Sequence, residues 1–135
     1  MAGDLDTLLD GFQTVLSTIS GLHAENGWPD NINSPCAIPR LVARRAETLD
    51  HQTTHAWTFD VLVLVQIGTL RAMQERLKPY VSATGASSIE RVLLADGDLN
   101  GAADCINSVT LTTYDTVNAN GVEFGAAIFR VEVLA

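Results

Sequence analysis

The chain has 135 residues, of which 47% are hydrophobic, and a formal net charge of −8, with a sequence pI of about 4.6 and a mean hydropathy of +0.17. That length suits one domain with its own core, and the apolar content excludes a disordered chain. The acidic balance argues against general nucleic-acid affinity, which needs a basic footprint. The longest unbroken apolar run, Val61 to Val65, is far short of the roughly 20 residues of a membrane helix.

The opening MAGDLDTLLDGF carries acids where a secretory signal carries bases, so no signal is expected. Two cysteines, Cys36 and Cys105, are too few for a disulfide framework and are expected to be buried free thiols. In residues 4–20, Leu5, Leu8, Leu9, Phe12, Val15, Leu16 and Ile19 recur at three and four, the stripe of an amphipathic helix. Asp4 is placed to cap it, Gly11 weakens it by about 1 kcal/mol, and Gly21 suits its end. Residues 23–35 carry the turn pairs Asn26-Gly27, Pro29-Asp30 and Ser34-Pro35, and read as a loop. Trp28 is the one large apolar side chain in it, an anchor to the body or an interface residue.

Cys36 to Val42 reads as a strand, and Pro39 places it at an edge or at a bulge. Ala43 to His55, ARRAETLDHQTTH, is polar without Gly or Pro. It is an extended arm, or the exposed distal halves of two antiparallel strands. Ala56 to Ile67 is the expected centre of the sheet. Trp57, Phe59, Val61, Val63, Val65 and Ile67 share one face, and Leu62 and Leu64 make the other face apolar at mid-strand. Residues 69–83 form a second helix, capped by Thr69 and ended or kinked at Pro79. A short third helix starts from a capping box of Ser87 and Glu90 and stops at Asp96-Gly97-Asp98.

Residues 102–117 are read as a strand, strongest over Ile106 to Tyr114. Asn107, Val109, Leu111 and Thr113 fall on one face, with Ser108, Thr110, Thr112 and Tyr114 on the other. Asn118 to Gly121 is a hairpin turn. In the last strand, Val122 to Leu134, the apolar parity changes between Phe124 and Phe129, which predicts a bulge at Gly125-Ala126-Ala127. The expected fold is a single α+β domain over residues 1–135. It has a four-stranded, mostly antiparallel sheet, helices packed on one face and the element order αββααββ.

Sites of chemistry are sparse. His51 and His55 are four apart beside Asp50, but no third ligand is placed by spacing, so a solvated arm is favoured over a metal site. Asp96-Gly97-Asp98-Leu99-Asn100 looks like the start of a calcium loop. It is read as short of the full pattern and of the closing glutamate, hence as a plain turn. His23 with a cysteine has no local signature of a nucleophile pair. No phosphate-binding glycine loop, nucleophile elbow or CxxC is present, so no enzyme activity and no cofactor or metal is expected.

The whole pattern resembles the tail terminator proteins of long-tailed, non-contractile bacteriophages, of the type found in actinobacterial hosts. LDGFQTVLSTISGL (9–22), WPDNINSP (28–35) and WTFDVLVLV (57–65) carry the likeness at the start of the chain. The run from Arg71 to Thr112 and the closing NGVEFGAAIFRVEVLA (120–135) carry it at the end. None of these is a catalytic motif; the likeness lies in their order over nearly the whole length. The resemblance implies a structural virion protein with an α+β fold. Such proteins form a ring, typically of six copies, on the head-proximal end of the tail tube. They stop its growth and join it to the head-completion or stopper proteins, while DNA passes through the lumen. It implies a location at the tail–neck junction of the virion and in the host cytoplasm during assembly, with no membrane partner. The arm ARRAETLDHQTTH departs from the short, often basic or glycine-bearing arm of the family.

Ring subunits need a heterologous contact that closes about an axis, and edge strands or an arm can supply it by sheet extension. Arg40, Arg44, Arg45, His51, His55 and Trp28 are the candidate interface residues. The three arginines are expected to bridge to acids of a neighbour. A neighbouring neck component, or a small enzyme or metal-binding domain built on His51 and His55, are the competing readings.

Overall fold

The computed structural model describes residues 4–49 and 52–135, and they form an α+β fold. In chain order these are helix α1 (Leu5–Leu16), strands β1 (His23–Ala24), β2 (Cys36–Leu49) and β3 (Gln52–Gln66), helices α2 (Leu70–Val81) and α3 (Ile89–Asp96), and strands β4 (Cys105–Ala119) and β5 (Val122–Leu134). The strands make one sheet in the order β1-β2-β3-β5-β4. The expected four strands are therefore five. The extra one, β1, pairs parallel to Cys36 and Ala37 of β2, so the sheet is mixed. Two residues among turn formers show no period, which is why the spacing of the loop did not reveal them.

β3 lies at the centre of the sheet and its two faces have different covers. Trp57, Phe59, Val61, Val63 and Val65 join Phe129, Val131 and Val133 of β5 in one core with Leu8, Phe12 and Leu16 of α1, Met73 and Leu77 of α2, and Ile89 and Leu93 of α3. Phe12 meets Phe59 edge-to-face at 4.9 Å. On the opposite face Cys36, Ile38, Leu62, Leu64, Phe124 and Ala126 form a smaller core, against which Ile32 of the 25–35 loop packs.

α1 ends at Leu16, four residues short of the expected span of 4–20. The Ser17 hydroxyl donates to the Gln13 carbonyl at 2.6 Å and Thr18 to Val15 at 2.7 Å, so side chains satisfy the last carbonyls as the chain turns away. Asp4 stands at the N-cap position, but its carboxylate accepts from the Thr7 hydroxyl rather than from a backbone N–H. α2 begins as expected on Thr69, which accepts from the Ala72 N–H at 3.1 Å, and continues through Pro79 to Val81. In α3 the cap is Ser88, not Ser87; its hydroxyl accepts from the Arg91 N–H at 3.2 Å.

Gly11 is buried where α1 meets the 99–102 loop. A Cβ there would stand 2.7 Å from the Leu99 carbonyl oxygen and 3.0 Å from the Cβ atoms of Leu99 and Ala102. The helix therefore accepts glycine for close approach. Gly11→Ala is expected to lower stability by about 1–2 kcal/mol in urea denaturation, although helix propensity alone favours alanine by about 1 kcal/mol.

The predicted bulge in the last strand is absent: β5 pairs with β3 without interruption from Phe124 to Leu134. The parity change instead reflects two different faces, because Phe124 belongs to the smaller core and Phe129 to the helix-covered one. Register shifts lie in β4, at Asn107 and Thr112, and in β2, at Val42. They regroup the β4 faces. Val109, Leu111 and Tyr114 pair with Val131, Phe129 and Ala127, whereas Ser108, Thr110 and Thr113 pair with Glu132, Arg130 and Ile128. The hairpin turn is Asn120-Gly121, both at positive φ (54° and 78°), as a type I′ turn requires. Among the described residues no helix is long and apolar enough to cross a membrane.

Candidate assembly surface

The polar arm is a strand pair. β2 and β3 stay in register from Ala43↔Thr58 to Leu49↔Gln52, whereas β5 reaches only Ala56, through Leu134. Four residue pairs thus project past the sheet, about 13 Å. Ala135 closes the root of the arm by exchanging backbone hydrogen bonds with His55 at 3.0 and 3.1 Å. Of the two descriptions of the arm, the exposed distal halves of two strands is the one observed over residues 43–49 and 52–55.

Five of the six candidate interface residues lie among the described residues, and they fall in three places. Arg44 and His55 flank Trp57 at the arm's root: the guanidinium lies 5.1 Å from the indole centroid, and the imidazole 6.4 Å. Trp57 is itself 2% exposed, and among the described residues its Nε1 has no hydrogen-bond partner. Arg45 is well exposed and bonds Glu47 on its own strand at 2.7 Å. His51 lies outside the described residues. Arg40 lies on the face opposite the helices, where its Nη2 stands 3.4 Å from Asp60 Oδ2. Trp28 is at the other end of the sheet. Its Nε1 donates to Asn120 Oδ1 at 2.8 Å, and the Asn120 amide donates to the carbonyls of Pro29 and Asp30, so the loop is tied to the β4–β5 turn. The Trp28 ring remains 46% exposed. Arg40 and Arg45 thus have partners within the chain, which the expectation of bridges to a neighbour did not foresee.

Sequence reasoning missed Asp60. It is 6% exposed, and Arg130 binds it from β5, with Nε 3.1 Å from Oδ1 and Nη2 3.4 Å from Oδ2. The hydrogen bond and charge of Asp60 raise the Arg130 pKa. One acid in the middle of an apolar strand was the available signal.

The cysteines differ from expectation: Cys36 is buried and Cys105 exposed. Cys36 is level with Leu64 of β3, and Cys105 with Leu134, hence with Ala56. Eight residues along the strands, about 26 Å, and three strand spacings separate them, so they cannot pair within one chain. Burial, and after it the charge of Glu25, push the Cys36 thiol up from 9.0 to about 11. Below pH 9 the thiol is protonated in both states; above it the unfolded chain ionises first. Stability is therefore expected to fall between pH 9 and 11 by about 2–3 kcal/mol more than in Cys36→Ala, and iodoacetamide should label only Cys105 in the native protein.

The acidic turn needs a correction of its own. Asp96-Gly97-Asp98-Leu99-Asn100 continues into Gly101, so the six residues do complete the Asp-x-Asp-x-Asn-Gly pattern, while the twelfth position is Asn107 in place of glutamate. Asp96 Oδ2 accepts from the N–H groups of Asp98 and Asn100, and Asp98 Oδ1 from that of Gly101. Among the described residues, no three His, Cys, Asp or Glu side chains are grouped to hold a metal.

Two open grooves, of about 640 and 580 Å³, flank Ile32 between the loop and the β4–β5 turn, with Val122 and Phe124 lining both. Searches of protein-family models and of curated proteins give no match to this chain.

Proposed function

We propose that this chain is a structural virion protein of the tail-terminator type. It forms a ring on the head-proximal end of a phage tail tube, stops tube growth and presents the surface to which the head-completion proteins bind. The observation that carries this reading is a sheet whose β2 and β4 edges are largely unpaired among the described residues, and a strand pair, residues 46–49 with 52–55, that projects about 13 Å beyond it with Arg44 and Arg45 at its root. Such a shape supports a heterologous contact, which closes into a ring when the rotation allows. The resemblance in the order of segments along the chain supports the same reading. The net charge of −8 supports a lumen through which DNA passes without adhering. Charge reversal at Arg44 and Arg45 should weaken assembly.

The test is light scattering of the purified chain over a concentration series, followed by electron microscopy with tail-tube protein. Rings that decorate one end of each tube are expected. Binding to portal-side proteins with no binding to tube ends would replace the terminator reading with that of a stopper.

A further inference from the structure

The sheet has two edges, and they are complementary to each other. Among the described residues no strand pairs with the outer side of β4, and only the two residues of β1 pair with the outer side of β2. β2, β3, β5 and β4 are successively antiparallel, so β4 runs opposite to β2. A second copy placed beside the first in the same orientation therefore meets it edge to edge as an antiparallel pair.

Half of each edge is blunted. Pro39 and the bulge at Val42 interrupt the first part of β2, and the bulges at Asn107 and Thr112 interrupt the first part of β4. The remaining stretches, Ala43 to Thr48 and Thr113 to Ala119, keep an unbroken register with their inner partners and contain neither proline nor lysine. Both are long enough to add strands to a neighbouring sheet.

Face and charge then select the register. Ala43, Arg45 and Glu47 pair inward with Thr58, Ala56 and Thr54, on the face opposite the helices. Thr113, Asp115 and Val117 pair inward with Ile128, Ala126 and Phe124, on the same face. Asp115 is the only charged residue of β4. Keeping the helices of all copies on one side requires odd-numbered residues to face odd-numbered ones. Glu47 opposite Asp115 would set like charges together; Arg45 opposite Asp115 sets opposite charges together. The Arg45–Glu47 bond that would be exchanged is exposed at both ends (67% and 61%), so its loss costs little.

We infer that copies of this chain join by their sheet edges, with Thr113 to Ala119 of one antiparallel to the outer half of β2 in the next and Asp115 opposite Arg45. The paired segments are level with Leu64 and Ala56 of β3, eight residues apart. Each copy is thus offset by about 26 Å along its strands, and strands inclined in this way are what closure of a sheet about an axis requires. This contact rests on the ring reading for closure but not for pairing.

The test uses the full chain. Arg45→Asp and Asp115→Arg, each checked for folding by circular dichroism, should each weaken self-association at least tenfold in light scattering, and the double variant should restore it. In a Cys105→Ser background, Arg45→Cys with Asp115→Cys should give a ladder of disulfide-linked multimers, whereas Asp115→Cys alone should give none. Single reversals that leave assembly unchanged would overturn the edge contact and leave the ring reading standing. Dimers from Asp115→Cys alone would replace it with a two-fold β4–β4 contact. A wild-type chain that stays monomeric throughout, with no ladder from the paired cysteines, would also overturn it. The ring reading would then be decided separately by binding to tube ends.

Discussion

Gly125→Val is expected to cost about 3 kcal/mol or more and to leave little folded protein, because the position has no room for a side chain. Gly125 lies in β5 opposite Val65, on the face that α2 crosses. A Cβ built there would overlap Met73 Cγ and stand 2.6 Å from its Sδ and 3.2 Å from Val65 Cγ2. Met73 is 3% exposed, so its thioether cannot swing into solvent. Glycine in a strand interior is itself unfavourable by about 0.5–1 kcal/mol, and close approach of a neighbouring element is a common reason for it. Two variants separate this from a general intolerance of β5. Gly125→Ala should lose about 1–3 kcal/mol. Combined with Met73→Ala it should lose less than the two single losses together, since the new methyl occupies space the truncated side chain leaves. Urea denaturation midpoints measure both. Additive losses would show that Gly125 is needed for something other than the seat of α2.

The same residue marks where the sequence could be read and where it could not. The central strand, the helix caps at Thr69 and the Asn120-Gly121 hairpin follow from local pattern, because period, capping chemistry and positive φ are local properties. Gly125 was read as the site of a bulge because a change of apolar parity within one strand has two causes that look alike in one dimension. A bulge turns the strand over; a second core on the other face buries the alternate residues. Only the partner strands and Ile32, packed from a distant loop, distinguish them. β1 was invisible for a similar reason, as its two residues are strand only because β2 lies beside them. The arm was legible as polar and extended. Its pairing, which makes Arg44 a cover for Trp57 and Arg45 an edge residue, depends on the bulge at Val42. That bulge shifts the register by one residue and leaves no mark in the sequence. The calcium-like run shows the opposite case, a six-residue opening present in the sequence without its closing glutamate, whose carboxylates the fold uses as turn acceptors.

Asp60 should be the most sensitive charged position in the chain. It faces away from the helices, in register with Arg40 of β2 and Arg130 of β5, so three strands are joined by one carboxylate. Its side chain is 8% exposed, while those of Arg40 and Arg130 are 56% and 48% exposed. This asymmetry sets the ranking of effects. Removing the acid releases two cations that can both be hydrated, yet loses two charge-assisted contacts; Asp60→Ala is expected to cost about 2–3 kcal/mol, below the 3–5 kcal/mol typical of breaking a fully buried pair. Arg130→Ala leaves the shielded carboxylate with the single long contact to Arg40 and should lower the urea midpoint more than Arg40→Ala does. Arg40→Ala removes only that 3.4 Å contact and should cost under about 1 kcal/mol. Asp60→Asn keeps the shape without the charge and should recover less than half of the Asp60→Ala loss. Arg40 and Arg130 variants combined should lose more than the sum of the singles, because only the double variant leaves a buried carboxylate without any cation. Equal costs for Arg40→Ala and Arg130→Ala, or an Asp60→Ala loss within about 0.5 kcal/mol of zero, would mean that the three residues are merely neighbours on a solvated face.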